Sequence, residues 1–143
     1  ISGMVPATNN TTPYLRVGTG AGPSWKSGAA DYQWALDICE ATGPGYNGTG
    51  SNAAAQIAMS YVGITGATTH SFNAVLYIYN VTNTSTWKHI NGVGSYIRNS
   101  NTLLTAFNVA GAYAATTAIT SLRLLMSSGN ISTGTFKLYG IKN

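Results

Sequence analysis

The sequence predicts an all-β protein, a sandwich or barrel of about eight strands, on three observations. Only 7% of the 143 residues are charged, where soluble domains usually carry roughly a quarter. Surface polarity therefore falls to Ser, Thr, Asn and Gly, which favour strands, turns and loops over helices. Apolar residues recur at a period of two, the mark of strands with one buried face. Turn signals separate these runs at intervals of roughly 8–12 residues.

Residues 1–24 hold Pro6, Pro13 and Pro23, an Asn-Asn-Thr-Thr run and several glycines. Such a stretch is expected as an extended N-terminal arm on the surface, with one short strand at Tyr14 to Val17. Trp25 is the candidate anchor where the sandwich, residues 25–143, begins. Asp31 to Ile38 alternates cleanly, with Tyr32, Trp34, Leu36 and Ile38 on one face and Asp31, Gln33, Ala35 and Asp37 on the other. Cys39 continues this run and is expected as a buried structural thiol; standing alone, it has no partner for a disulfide within the chain. Thr42 to Asn52 is so rich in glycine that it reads as a loop. Ile57, Met59 and Tyr61 alternate as a strand, which the β context favours over a helix across Ala53 to Met59.

His70 to Val81 is the longest strand signal. Phe72, Ala74, Leu76 and Ile78 form one face, and Val75, Tyr77 and Tyr79 load the other. Asn91-Gly92 reads as a hairpin turn between short strands at Trp87 to Ile90 and Gly94 to Ile97. Thr102 to Asn108 is a further strand, and Gly111 to Thr117 a loop of small residues. The chain then ends on strand, turn, strand. Leu122, Leu124 and Met126 alternate, Ser128-Gly129-Asn130 turns, and Phe136 and Leu138 restart the alternation as a β-hairpin. Opposite them, Leu125, Tyr139 and Ile141 are apolar where a solvated antiparallel sheet should be polar.

One domain fits this length, with enough chain for one core. The formal charge of +4 comes from seven scattered basic residues, without the basic stripe and interleaved aromatics of a nucleic-acid site. No apolar run approaches the roughly 18 residues of a membrane helix, and no signal-peptide pattern opens the chain. Ile1 is not an initiator Met, which points to a processed N-terminus or to a preceding segment.

Catalytic patterns are sparse. Asp31 and Asp37 share a strand face but lie six residues apart, ~20 Å at ~3.3 Å per residue, too far for a glycosidase pair. Asp37 and Glu40 could meet at a strand end, although nothing fixes them there. His70 and His89 match neither a nucleophile elbow nor a metal motif. Gly43-x-Gly45 and Gly48-x-Gly50 lack the Lys-Ser/Thr and the helix of a phosphate loop. The reading is of a protein that is not an enzyme and uses no cofactor or metal. Asn10-Thr11-Thr12, Asn47-Gly48-Thr49, Asn80-Val81-Thr82 and Asn130-Ile131-Ser132 have the glycan-acceptor pattern, which also arises by chance in a chain this rich in Asn and Thr. Tyr46, with Asn47 and Asn52, is an amphipathic ring of the kind that stacks on a sugar face. The plainer alternative is a tyrosine pinning its own loop.

Ile119-Thr120-Ser121, Met126-Ser127-Ser128-Gly129-Asn130 and Gly134-Thr135-Phe136-Lys137-Leu138-Tyr139-Gly140 resemble the C-termini of tailed-bacteriophage virion proteins, and Leu76-Tyr77-Ile78-Tyr79-Asn80 is similar to their preceding strand. The likeness covers about the last half of the chain and carries no catalytic residues. It implies an antiparallel jelly-roll β-sandwich that assembles as a homotrimer. The implied role is a capsid decoration (cement) protein bound to the major capsid protein or another virion protein. A fibre or tail-tip domain that binds a host-surface glycan is the alternative. The second apolar faces, Val75, Tyr77, Tyr79, Leu125, Tyr139 and Ile141, are the expected subunit interface. Tyr46, Asn47 and Asn52 are the candidate glycan contacts.

Overall fold

The computed structural model describes residues 1–43 and 46–140, with Tyr46 described by its backbone alone. The described residues form no helix. Their strands, in chain order, are β1 (Ser2–Pro6), β2 (Pro13–Thr19), β3 (Ser24–Trp25), β4 (Tyr32–Glu40), β5 (Tyr46–Ala54), β6 (Ile57–Ala58), β7 (Asn73–Ile78), β8 (Lys88–Ile97), β9 (Leu104–Tyr113), β10 (Ser121–Met126) and β11 (Ile131–Thr135).

The main layer is an antiparallel sheet of order β5-β4-β9-β8-β7. A β7-β8-β9 meander forms one half, and the β4-β5 hairpin lies beside β9. A second sheet has the order β10-β2-β3, with β6 also paired to β2. A third pairing joins β1 to β11. This ribbon reaches the main sheet, because Met4 bridges Phe72 and the Ile1 and Ala74 backbones exchange two hydrogen bonds.

The period of two accounts for the core. Tyr32, Leu36 and Ile38 on β4, Phe107 and Val109 on β9, and Ile90 and Tyr96 on β8 are buried with Leu15 and Val17 on β2, Ile57 on β6 and Met126 on β10. At one end Phe72 lies 5.3 Å from Phe107 and 6.3 Å from Tyr96, centroid to centroid, within the range of favourable aromatic pairs. At the other end the buried Tyr32 hydroxyl accepts from the Val17 N–H at 2.8 Å and donates to the Lys26 carbonyl at 3.1 Å. Burial pushes its pKa up to about 12.

Several sequence expectations are corrected. Residues 1–24, expected as a surface arm, instead supply β1 and β2, and Met4, Leu15 and Val17 are buried in the core. Their prolines sit where a strand tolerates them, Pro6 last in β1 and Pro13 first in β2. The glycine-rich stretch expected as a loop forms β5, since the ladder to β4 from Ala54 to Tyr46 outweighs poor local propensity.

Asn91-Gly92 is no turn. Lys88–Ile97 runs as one strand, and Gly92 lies where a Cβ would press on the side chains of Leu76 and Val109. Glycine here makes room for neighbours. Gly111 works the same way inside β9: its Cβ would come within 2.5 Å of Ile57 Cδ1.

The closing hairpin is also absent. β10 pairs with β2 and β11 with β1, so Ser127 to Asn130 carries the chain from one sheet to another. Phe136 to Gly140 lies outside any strand. Cys39, expected buried, is exposed. It has the opposite parity to Ile38 and so shares the outward face of β4 with Gln33, Ala35 and Asp37.

Candidate interaction surface

The surface that needs explaining is the outward face of the five-stranded sheet. Register fixes its rows. Gln33, Ala112 and His89 lie side by side on β4, β9 and β8. Gly50, Ala35, Ala110, Asn91 and Tyr77 form the next row, and Gly48, Asp37, Asn108, Val93 and Val75 the one after. The floor is made of Gly and Ala, and its β7 margin of Tyr and Val. Asp37 is the one charged side chain in these rows.

On that margin Val75 is 53% exposed, Tyr77 52%, Tyr79 45% and the cross-strand neighbour Val93 51%. Four adjacent apolar side chains left half in water form a patch of the kind that marks contact with another molecule. Leu76 and Ile78 alternate with them and point inward, although both are only partly buried. Edge geometry adds a second feature. Tyr79 N–H donates to the His89 carbonyl, so by antiparallel alternation the Leu76 and Ile78 backbone groups point away from β8. Ala74, of the same parity, is satisfied by Ile1. Beyond Ile1, no strand among the described residues pairs with the edge of β7.

Two shallow depressions lie on this face. One, of about 420 Å³, is lined by Gln33, Ala35, Asn52, His89, Asn91 and Ala110, among others. The other, of about 250 Å³, sits against Ile1, Asn73, Val75, Val93 and Ser95.

The six residues expected at a subunit interface do not form one patch. Val75, Tyr77 and Tyr79 are together on β7. Leu125 is on β10, in the other sheet, where it pairs with Tyr14 and is partly buried. Tyr139 lies in the segment after β11, and Ile141 is outside the described residues. Sequence reasoning missed Val93, hidden by the misplaced turn at Asn91-Gly92, and Leu138, which is 82% exposed beside Tyr139 at 77%.

The expected glycan contacts are also apart. Asn52 lines the larger depression, whereas Asn47 is opposite Ile38, five residues along β5, or ~16 Å at ~3.3 Å per residue. The Tyr46 side chain is outside what is described.

Two of the remaining polar candidates, Asp31 and Glu40, are held by local contacts. Asp31 Oδ2 accepts from the Gly28 N–H at 2.6 Å, and Glu40 forms an ion pair with Arg98. His70 precedes β7, and His89 lies at the larger depression. Among the described residues no three His, Cys, Asp or Glu side chains gather as a metal site. The surface offers apolar contact, amide hydrogen bonds and, among the described residues, an unpaired strand edge. Comparison with family models, with curated proteins and with solved structures finds no match to this chain.

Proposed function

We propose that the chain is a non-enzymatic structural protein of a bacteriophage virion, a jelly-roll domain that forms a homotrimer and decorates the capsid. The observation that carries this reading is the half-exposed strip of Val75, Tyr77, Tyr79 and Val93 beside an open strand edge. Fully burying a large apolar side chain contributes ~1.5–3 kcal/mol. Four half-exposed ones per copy are thus a sizeable reserve for association. Low charge supports the same reading, since little desolvation opposes contact across this face. The C-terminal likeness to virion proteins supplies the setting.

Sedimentation of the intact chain is the first test. A stable trimer at micromolar concentration is expected, and a monomer there overturns the assembly. Labelling of phage particles with antibody to the chain is the second. Hundreds of sites over the capsid are expected, and labelling confined to the tail overturns decoration.

A second reading is favoured by the larger depression, where Gln33, Asn52, His89 and Asn91 are gathered around an alanine floor. Amides around an apolar floor suit a saccharide, and the chain would then be a fibre or tail-tip domain. Binding to a host-surface glycan that is lost in His89→Ala supports it; an array with no hit removes it.

A further inference from the structure

Two parts of the chain are left incomplete in a single copy, and each has what the other lacks. The first is the β7 edge. The Leu76 and Ile78 backbone groups face outward with no strand beside them among the described residues, and the side chains there are apolar on both faces. Open, apolar edges of this kind are templates for another strand. The second is the segment Phe136 to Gly140. It follows β11 without joining a sheet, and Leu138 and Tyr139 are the most exposed large apolar side chains among the described residues. Its side chains are also apolar on both sides of the alternation, Phe136 and Leu138 on one and Tyr139 on the other.

The segment does not complete its own edge. Thr135 is paired with Ser2, and Ile1 with Ala74, and past Thr135 the segment leaves β1 without pairing to β7. The receiving rows by β7 carry Asn73, Val75, Tyr77, Asn91, Val93 and Ser95, none of them charged, which suits a segment whose one charged residue among those described is Lys137.

Resting on the trimer reading above, we infer that Phe136 to Gly140 of one copy adds as a strand to the open β7 edge of the next. Main-chain hydrogen bonds to Leu76 and Ile78 hold it, and its apolar side chains cover the Val75-Tyr77-Tyr79 strip, as in other cases of strand addition. One side chain has the depression beside Ile1, Val75 and Val93 to fill. The donating and accepting surfaces differ, so the contact is head-to-tail. Such contacts close into rings when the rotation allows it, and a closed ring of three copies leaves no segment and no edge unpaired.

The test uses the full chain with Cys39→Ser, to remove the one native thiol. Leu138→Cys is combined in turn with Val75→Cys, Tyr77→Cys and Tyr79→Cys, and each is oxidised. Covalent dimers and trimers on a non-reducing gel are expected from at least one pair and from none of the single variants. In parallel, Leu138→Asp with Tyr139→Asp is expected to lower the sedimenting mass threefold while the β-sheet circular dichroism is kept. These side chains are largely in water, so their loss does not unfold one copy. If the parent chain is a trimer, the aspartate variant stays trimeric and no pair cross-links, the strand addition is wrong and the trimer reading stands. If the parent is a monomer, both fall.

Discussion

Tyr32 ties the two sheets together, and its removal has a cost that depends on pH. Its hydroxyl is fully buried between the Val17 N–H and the Lys26 carbonyl. Tyr32→Phe leaves the N–H of a buried residue without its acceptor, which costs about 1–3 kcal/mol at neutral pH. Ionisation gives a second, independent reading. Desolvation raises the folded pKa to about 12 from 10.0. Between those values the folded chain keeps a proton that the unfolded chain has released. Stability from this residue is therefore complete below pH 10 and is lost as pH rises through about 12. Two pKa units correspond to roughly 3 kcal/mol. Urea unfolding of both chains at pH 8 and at steps to pH 12 measures the difference. Tyr32→Phe is expected to be weaker by about 2 kcal/mol at pH 8 and nearly equal to the parent at pH 12. A difference that stays constant across that range would refute the assignment of the alkaline loss to Tyr32. Burial also raises the pKa of Tyr96 and Tyr113, so the variant keeps part of the alkaline decline.

Other changes test the packing. Gly94→Ala places a Cβ against the Asn73 carbonyl and within 2.8 Å of the Phe107 ring, and a loss of about 1–3 kcal/mol in urea is expected from such overpacking. Lys88 is fully buried, and its Nζ donates to the Thr86 carbonyl at 2.6 Å and the Thr116 carbonyl at 3.0 Å. Lys88→Met keeps the stem and removes a desolvated charge, so a change within about 1 kcal/mol is expected. Lys88→Ala empties the site and is expected to cost about 2 kcal/mol or more; equal losses would show that the ammonium matters more than the stem. Cys39 is on the outward face, so one equivalent of maleimide is expected to react with the folded chain. Reaction only in denaturant would put that strand in the wrong register.

The inward faces were legible because a strand buried on one side leaves a period of two in its own residues. Tyr32, Leu36 and Ile38, and Phe72 and Ala74, are in the core as that pattern requires. What failed were inferences in which a local signal has two physical causes. Asn91-Gly92 has the composition of a turn, yet Gly92 is small because Leu76 and Val109 lie over it. Gly48 and Gly50 lower strand propensity, yet β5 has the whole edge of β4 to pair with. Ser128-Gly129-Asn130 turns the chain, and Gly129 has the positive φ of 69° that such a turn needs. A turn does not say whether the next strand returns beside the last one or crosses to another sheet. That choice rests with partners far along the chain, Pro13 to Gly18 for β10 and Ser2 to Pro6 for β11.

The candidate surface divides in the same way. Val75, Tyr77 and Tyr79 were visible as a second apolar face because parity alone puts them opposite Ala74, Leu76 and Ile78. Their joining with Val93 was not, since cross-strand neighbours depend on register. Nor was the open edge beside them, which exists because β1 meets β7 only as far as Ile1 and Ala74. Apolar side chains on both faces of a strand would be explained by burial in one chain if both faces were covered. On β7 they are not: the inward face is partly open at Leu76 and Ile78, and the outward face is half in water. A further strand laid against that edge would cover both faces at once. Leu138 and Tyr139 would gain most from such a contact, since they are largely in water within one copy, whereas Phe136 is already about half buried.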